Sequence, residues 1–356
     1  MIRATLLFVL LCGLTNGCTQ RPQIHQHQLL TFGTLVEITI ATQDKSLAER
    51  AFQQLEKDFA RMNRDWNGWK PGGELYRINQ RLSQGKPVTT TPELIRMLTQ
   101  ARQISRDSHY LFNPAIGKLI ALWGFHNDQP APNPNKDART LREQTAARPR
   151  LDDLRIDGNT VQSTNPGVNI DLGGFAKGYA LKLEARKLLT MGLKDFIINA
   201  GGDLIAYGRH IDRNWRIGIR DPDGGRALAS IEAQNGESIF TSGDYERYYL
   251  ENGKRRHHII DPRSGQPSES AHAVTVITRD PALADAAATA LMIALPDEWR
   301  QIAQRLGIDK VLRLEANGEL SMTPAMAQRV QILRQVPNPQ RPPPTQPDEN
   351  FRLGNP

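Results

Sequence analysis

Between positions 169 and 181 the chain reads NIDLGGFAKGYAL. A carboxylate, Asp171, and an ammonium, Lys177, flank Gly173, Gly174 and Ala176, and Gly178 follows at once. A glycine turn at the start of a helix offers backbone N–H groups and the positive end of the helix dipole to an anion. Lys177 adds a charge that reaches phosphate, whereas Asp171 suits a base or a cation's water. The plain alternative is an ordinary strand-to-helix turn with a surface lysine. Neither the Walker spacing nor the dinucleotide G-x-G-x-x-G is present.

Three further clusters carry chemistry. NAGGDL (199–204) is a second glycine turn after the apolar DFIIN, and lets the backbone approach a ligand or a neighbouring strand closely. TSGDYERYY (241–249) and HHIIDPRSGQP (257–267) bring Ser242, Asp244, His257, His258, Asp261 and Arg263 into one stretch. Asp261 to Gly265 reads as a tight turn. A Ser-His-Asp hydrolase matches in residue type, but the G-x-S-x-G elbow is absent. In DAAATALMIAL, Asp285 and Thr289 are four apart and share a helix face. Their oxygens are hard ligands suited to magnesium; the alternative is a threonine bonded back to its own helix.

The elements that must position these groups follow from periodicity. TLVEITIA (34–41) alternates as a strand. Residues 46–63 repeat apolar side chains at helical spacing, with Ser46 placed to cap them. TPELIRMLTQARQISRDS has Pro92 just inside a helix start. Residues 127–150 are polar and proline-rich, as in a surface insertion. Strands follow in LRIDGNTVQST, FIINAGGDLIAYG, WRIGIRDP and AVTVITRD, and VNID reads as a strand end before a helix that stops at Gly192. Helices over 282–294 and 297–306 complete the pattern. Interleaved helices and hairpin-like strands predict an α+β fold with mixed sheets flanked by helices.

At 356 residues, with 39% hydrophobic and 23% charged residues, the composition is that of a globular protein. The net charge of +7 is scattered, which argues against a nucleic-acid partner. Arg3 precedes an apolar run, 4–14, that is too short to span a bilayer and suits a signal peptide. Gly17-Cys18 resembles a lipoprotein cleavage site, and Cys12 and Cys18 are the only cysteines. The expected organisation is a signal peptide (1–17), lipidation at Cys18, a tether (18–27), one catalytic domain (28–335) and a proline-rich disordered tail (336–356). That places the protein on a bacterial membrane, inner or outer, facing the periplasm or the cell exterior. A plain secreted protein is the alternative.

Taken in order, these segments resemble the FAD:protein FMN transferase (ApbE-type) family from about Phe32 to Leu306. TFGTLVEITI is similar to the family's opening strand, with Phe32 in a methionine position. GWKPGGELYRIN resembles a segment in which an aromatic, here Trp69, packs on the flavin. LFNPAIGKLIALWGF resembles another, with Asn113 replacing a common aspartate.

The resemblance implies a T-fold-like catalytic domain. It implies that Asp171 and Lys177 bind FAD, and that Phe32, Trp69, Leu111, Phe112, Asn113 and Ile259 line the cofactor site. It implies that the Gly174 carbonyl, Asp285 and Thr289 hold Mg2+. FAD is the substrate: its FMN phosphoryl passes to a Thr or Ser hydroxyl of another protein and AMP leaves. His258 is the candidate base, because an ordinary histidine titrates near 6.5; Asp261 follows in the same catalytic turn, and His257 is the competing choice. The acceptor pattern D-G-x-[ST]-[GSA]-A-[ST] is absent, the nearest stretch being DGGRALAS, so the acceptor is expected to be a separate exported protein or domain. Two alternatives share these residues: an FAD pyrophosphatase releasing FMN and AMP, and a flavin-binding lipoprotein without turnover.

Overall fold

A computed structural model describes residues 21–225 and 227–333; the expected signal peptide, Cys18 and proline-rich tail lie outside the described residues. The centre is an eight-stranded sheet whose spatial order is its chain order. The strands are β1 (Gln23–Thr31), β2 (Thr34–Thr42), β3 (Phe196–Ala200), β4 (Asp203–Tyr207), β5 (Glu237–Gly243), β6 (Ala271–Thr278), β7 (Lys310–Glu315) and β8 (Leu320–Met322). The fold is α+β, as expected. Neighbouring strands are joined by hairpins or by excursions that return to the same end of the sheet, so every ladder is antiparallel. Parallel pairing among the described residues is confined to the Ile116–Asn169 bridge.

The excursions carry the helices. Between β2 and β3 lie α1 (Lys45–Asp65), α2 (Glu74–Ser83), α3 (Pro92–Asp107), α4 (Gly117–Leu122), α5 (Ala138–Ala146) and α6 (Ala176–Thr190). Between β6 and β7 lie α7 (Pro281–Ile293) and α8 (Trp299–Arg305). Side chains alternate across each strand, and the two faces of the sheet meet different cores. Phe196, Ile198, Ile205, Val274 and Val276 pack with the helices. Leu204, Ala206, Ile239 and Ile277 pack against Trp215, Ile217 and Ile231, from a small sheet of Trp215–Ile219, Ala229–Ala233 and Val330–Ile332.

Several local expectations are corrected. Residues 23–27, read as a tether, form the first half of β1 in continuous register with β2. An edge strand needs partners on one side only, so its exposed positions take Gln23, Gln26 and Gln28 and the segment looks polar in sequence. Ser46 does not cap α1: Asp44 accepts the Leu47 N–H at 2.8 Å, and Ser46 Oγ accepts from Arg50. VNID is no strand beyond its single bridge. Buried Asn79 supplies the missing ladder, accepting the Ile170 N–H at 2.7 Å and donating to the Ile170 carbonyl at 2.8 Å. The 127–150 stretch, expected as a surface insertion, carries α5, capped by Asp137 and with none of the helix's own residues buried, in keeping with that expectation.

α6 and α7 pack in contact where a glycine allows it. A Cβ on Gly178 would stand 2.1 Å from the Pro281 carbonyl oxygen and 2.8 Å from Asp285 Cβ. Inside a helix Gly→Ala ordinarily stabilises by about 0.5–1 kcal/mol. Here the sign reverses: Gly178→Ala is expected to cost about 1–3 kcal/mol through overpacking. Thermal unfolding of the variant measures this, and a raised Tm would contradict the close approach.

Candidate active site

The site gathers at the end of the sheet that holds the Gly201–Gly202 turn and the N-terminus of α6. Residues 169–171 run along the 114–117 segment: Gly117 N–H donates to the Asn169 carbonyl at 2.8 Å, and Asp171 N–H to the Pro114 carbonyl at 2.8 Å. The chain then turns, with the Ala176 N–H on the Leu172 carbonyl, and enters α6 without a side-chain cap of its own. The cap comes from α7. Asp285 Oδ2 accepts the Gly178 N–H at 2.9 Å, one of the groups a helix start leaves unpaired. Gly174 lies against Thr289, where an added Cβ would meet Thr289 Oγ1 at 2.9 Å. The four-residue spacing of Asp285 and Thr289 therefore does aim both at the glycine turn. Thr289 Oγ1 donates back to the Asp285 carbonyl at 3.3 Å, which leaves its lone pairs for another partner.

Lys177 stands on the first turn of α6 and pairs with Asp203, a residue sequence reasoning passed over. Asp203 is buried and its second oxygen takes the Thr241 N–H at 2.9 Å. Burial opposes the Lys177 charge, but Asp203 and Asp285 outweigh it and raise its pKa. Burial also dominates at Asp285, whose carboxyl is pushed up to about 7, with Asp203 adding to the shift and Lys177 opposing it. A carboxylate kept dry in this way favours a cation nearby. Among the described residues no three His, Cys, Asp or Glu side chains converge as a metal cluster. A cation here would rest on one carboxylate, a hydroxyl and a carbonyl, a hard-oxygen set of the kind magnesium shares with water and phosphate.

A second assembly centres on Asp171. Asp171 Oδ2 lies 2.8 Å from His126 Nε2, and Oδ1 accepts the Gly173 N–H at 2.7 Å. Burial alone would raise the Asp171 pKa; the His126 bond, the Gly173 N–H and the Arg247 charge together hold it down. His126 stacks on Trp69, with centroids 6.0 Å apart and planes 12° from parallel. Arg247 donates to the carbonyls of Phe125 and Asn127, at 2.8 and 3.0 Å, on both sides of His126. The Arg247 carbonyl in turn receives the His258 N–H at 3.1 Å and faces its Nδ1 at 3.3 Å. Nδ1 is then the protonated nitrogen, and Nε2 carries the lone pair. Desolvation first, then the charges of His257, Arg247 and Lys177, push the His258 ring down to about 3, so it is neutral. His257 is a structural neighbour: buried, it donates from Nε2 to the Ser268 carbonyl at 2.6 Å and accepts the Ile259 N–H on Nδ1 at 3.3 Å.

Other expected site residues serve the frame. Asp261 is engaged by its own turn and by Arg263, which also reaches Glu298 at 2.8 Å. It does not orient His258, because both oxygens face the guanidinium. Leu111, Phe112 and Ile259 bury their side chains in the core, so what they offer a ligand is main chain. Asn113 bonds the Pro149 carbonyl and the Ala115 N–H. Phe32 stands in the β1–β2 turn at φ +51°, its ring 6.2 Å from Phe59 and 6.4 Å from Trp66. Asp244 is taken by His272 and Arg255, each at 2.7 Å, and not by Ser242 with a histidine as a hydrolase would require. His126, Arg247, Asp203 and Asn79 were missed. Asp203 had a signal, a carboxylate directly after the glycine turn; the His126–Asp171 pair spans 45 positions and had none.

Comparisons with known proteins agree on one family. The ApbE family model matches residues 32–312. A FAD:protein FMN transferase of Rhodobacter capsulatus is 39% identical over 302 residues, 85% of this chain and 57% of that protein. The chain thus spans little more than half the length of that relative. A FAD:protein FMN transferase of Klebsiella pneumoniae is 29% identical and covers 86% of this chain and 90% of its own. The crystal structure of an ApbE protein from Thermotoga maritima superposes with a TM-score of 0.77 at 27% identity, over 86% of this chain and 99% of that one.

The two histidine environments have opposite signs. His272 is held protonated above its ordinary value, first by its bond to Asp244, and His258 is held neutral. Proton NMR of the ring resonances should show His272 titrating with a midpoint above about 6.5, and His258 with no step between about pH 5 and 9. A His258 midpoint near 6.5 would contradict its surroundings.

Proposed function

The chain belongs to the ApbE family, and from that premise we propose that it transfers FMN from FAD to a threonine or serine hydroxyl of a partner protein and releases AMP. The observation that carries this reading is the glycine turn itself: Thr289 lies against Gly174, Lys177 follows on the first turn of α6 beside Asp203, and Asp171, just before the turn, is bonded to His126, which stacks on Trp69. A pyrophosphate at the start of α6 would meet the helix dipole and the Lys177 ammonium. Asp171 and Trp69 would hold the flavin donor.

FAD joins FMN to AMP through a pyrophosphate. The acceptor oxygen forms a bond to the FMN phosphorus, the P–O bond to AMP breaks, and the hydroxyl proton goes to a base. His258 suits that role because its Nε2 lone pair is free of protein donors among the described residues. A bound pyrophosphate would oppose the cationic field of Arg247 and Lys177 and make the ring a stronger base. The Gly174 carbonyl, Asp285 and Thr289 are the groups that would hold Mg2+, which when bound draws charge from the pyrophosphate oxygens. We place the enzyme, through the lipoprotein-like Cys18, on a membrane facing the periplasm or the exterior, with an exported protein or domain as acceptor.

The test uses the chain from Thr19 onward with FAD, Mg2+ and a small domain carrying D-G-x-[ST]-[GSA]-A-[ST]. Intact mass of that domain should rise by FMN minus water, and not when its threonine is replaced by alanine. Asp285→Ala should abolish transfer, and His258→Ala should lower kcat by about 10²–10⁴. AMP and free FMN without a labelled acceptor would make the protein a pyrophosphatase; FAD bound with no product would make it a binding protein.

A further inference from the structure

His126 lies outside the motifs legible in the sequence, yet it touches two residues assigned to the flavin donor. Its Nε2 meets Asp171 Oδ2 at 2.8 Å, and its ring lies nearly parallel to Trp69. Both the imidazole and the carboxylate are largely buried, at 15% and 13% exposure, so the bond is shielded from competing water. Trp69 and Asp171 come from different parts of the chain, the loop before α2 and the turn before α6. Asn79 ties their main chains, bonding Gly68 and Ile170 just before each; between the two side chains stands His126.

Its own position is over-determined. The Arg247 guanidinium grips the carbonyls on either side, those of Phe125 and Asn127. A second link, Lys70 to Asp128 at 2.5 Å, ties the Trp69 loop to the His126 loop from outside, though an exposed pair of this kind contributes little by itself. With Nε2–H committed to Asp171, the imidazole cannot rotate without breaking the bond or losing the stack.

We propose that His126 is a positioning residue for the flavin donor, holding the Asp171 carboxylate and the Trp69 ring at a fixed separation so that one ligand engages both. The inference rests on the reading that those two residues meet FAD. Binding of FAD to the Thr19-onward protein, followed by flavin fluorescence without any acceptor, tests it apart from turnover. His126→Ala should weaken FAD binding by about tenfold, the scale of one charge-assisted bond, while kcat at saturating FAD changes by less than about threefold. His126→Gln, whose amide can still donate to Asp171, should recover part of the loss. His126→Phe keeps the ring stack alone and should stay weak; these two carry the test if the alanine variant does not fold. Wild-type affinity in the Ala and Phe variants would overturn the proposal. So would a loss of kcat at saturating FAD with unchanged affinity. A wild-type protein that binds FAD yet labels no acceptor would sink the transferase reading and leave this one standing.

Discussion

The bond from the Gly178 N–H to the Asp285 carboxylate is the constraint on which the site depends. α6 begins without a side-chain cap of its own, and a helix start that nothing satisfies is costly when buried. Asp285 provides the cap from α7 and, in doing so, fixes the distance between the two helices. The absence of a side chain on Gly178 permits the approach. Because Lys177 and Gly174 belong to the same turn, the one bond also sets where the ammonium and the glycine carbonyl stand relative to Asp285 and Thr289. α7 is otherwise buried and apolar nearly all round. A lone carboxylate in such a helix would be a liability without this partner.

Electrostatically the site has two halves. Around Lys177 stand Asp203 and Asp285, two buried carboxylates sharing one ammonium. Around Asp171 stand His126 and Arg247, two basic side chains sharing one carboxylate. His258 lies where the positive charges of both halves are felt, and this together with desolvation keeps its ring neutral. The first half suits a cation and a phosphate; the second suits the organic part of a ligand.

Rigidity in the second half comes from backbone groups bonded by side chains rather than from a ladder. Asn79 bonds both main-chain groups of Ile170 and also donates to the Gly68 carbonyl at 3.1 Å. One buried amide thereby joins the residue before Trp69 to the residue before Asp171. Arg247 does the same for the residues flanking His126. Such bonds hold short loops without giving them the alternating pattern by which strands are recognised.

The sequence by itself determined most of the elements. Hydrophobic period, glycine turns and the Thr91-Pro92 start located the main helices and strands, because these signals are local and repeat every two to four residues. It also placed Asp171, Gly174, Lys177, Asp285 and Thr289 on a turn and a helix face whose spacing the fold preserves. It misjudged β1, since an edge strand can be polar, and it read a strand into 168–171, where a side chain replaces a neighbour strand. Only tertiary structure decided which groups are partners. His126 with Asp171, Asp203 with Lys177, and Asp285 with Gly178 are separated by 45, 26 and 107 positions, and no local period encodes a pair at that range. The protonation states were decided there too, because burial and neighbouring charge, not residue type, set them.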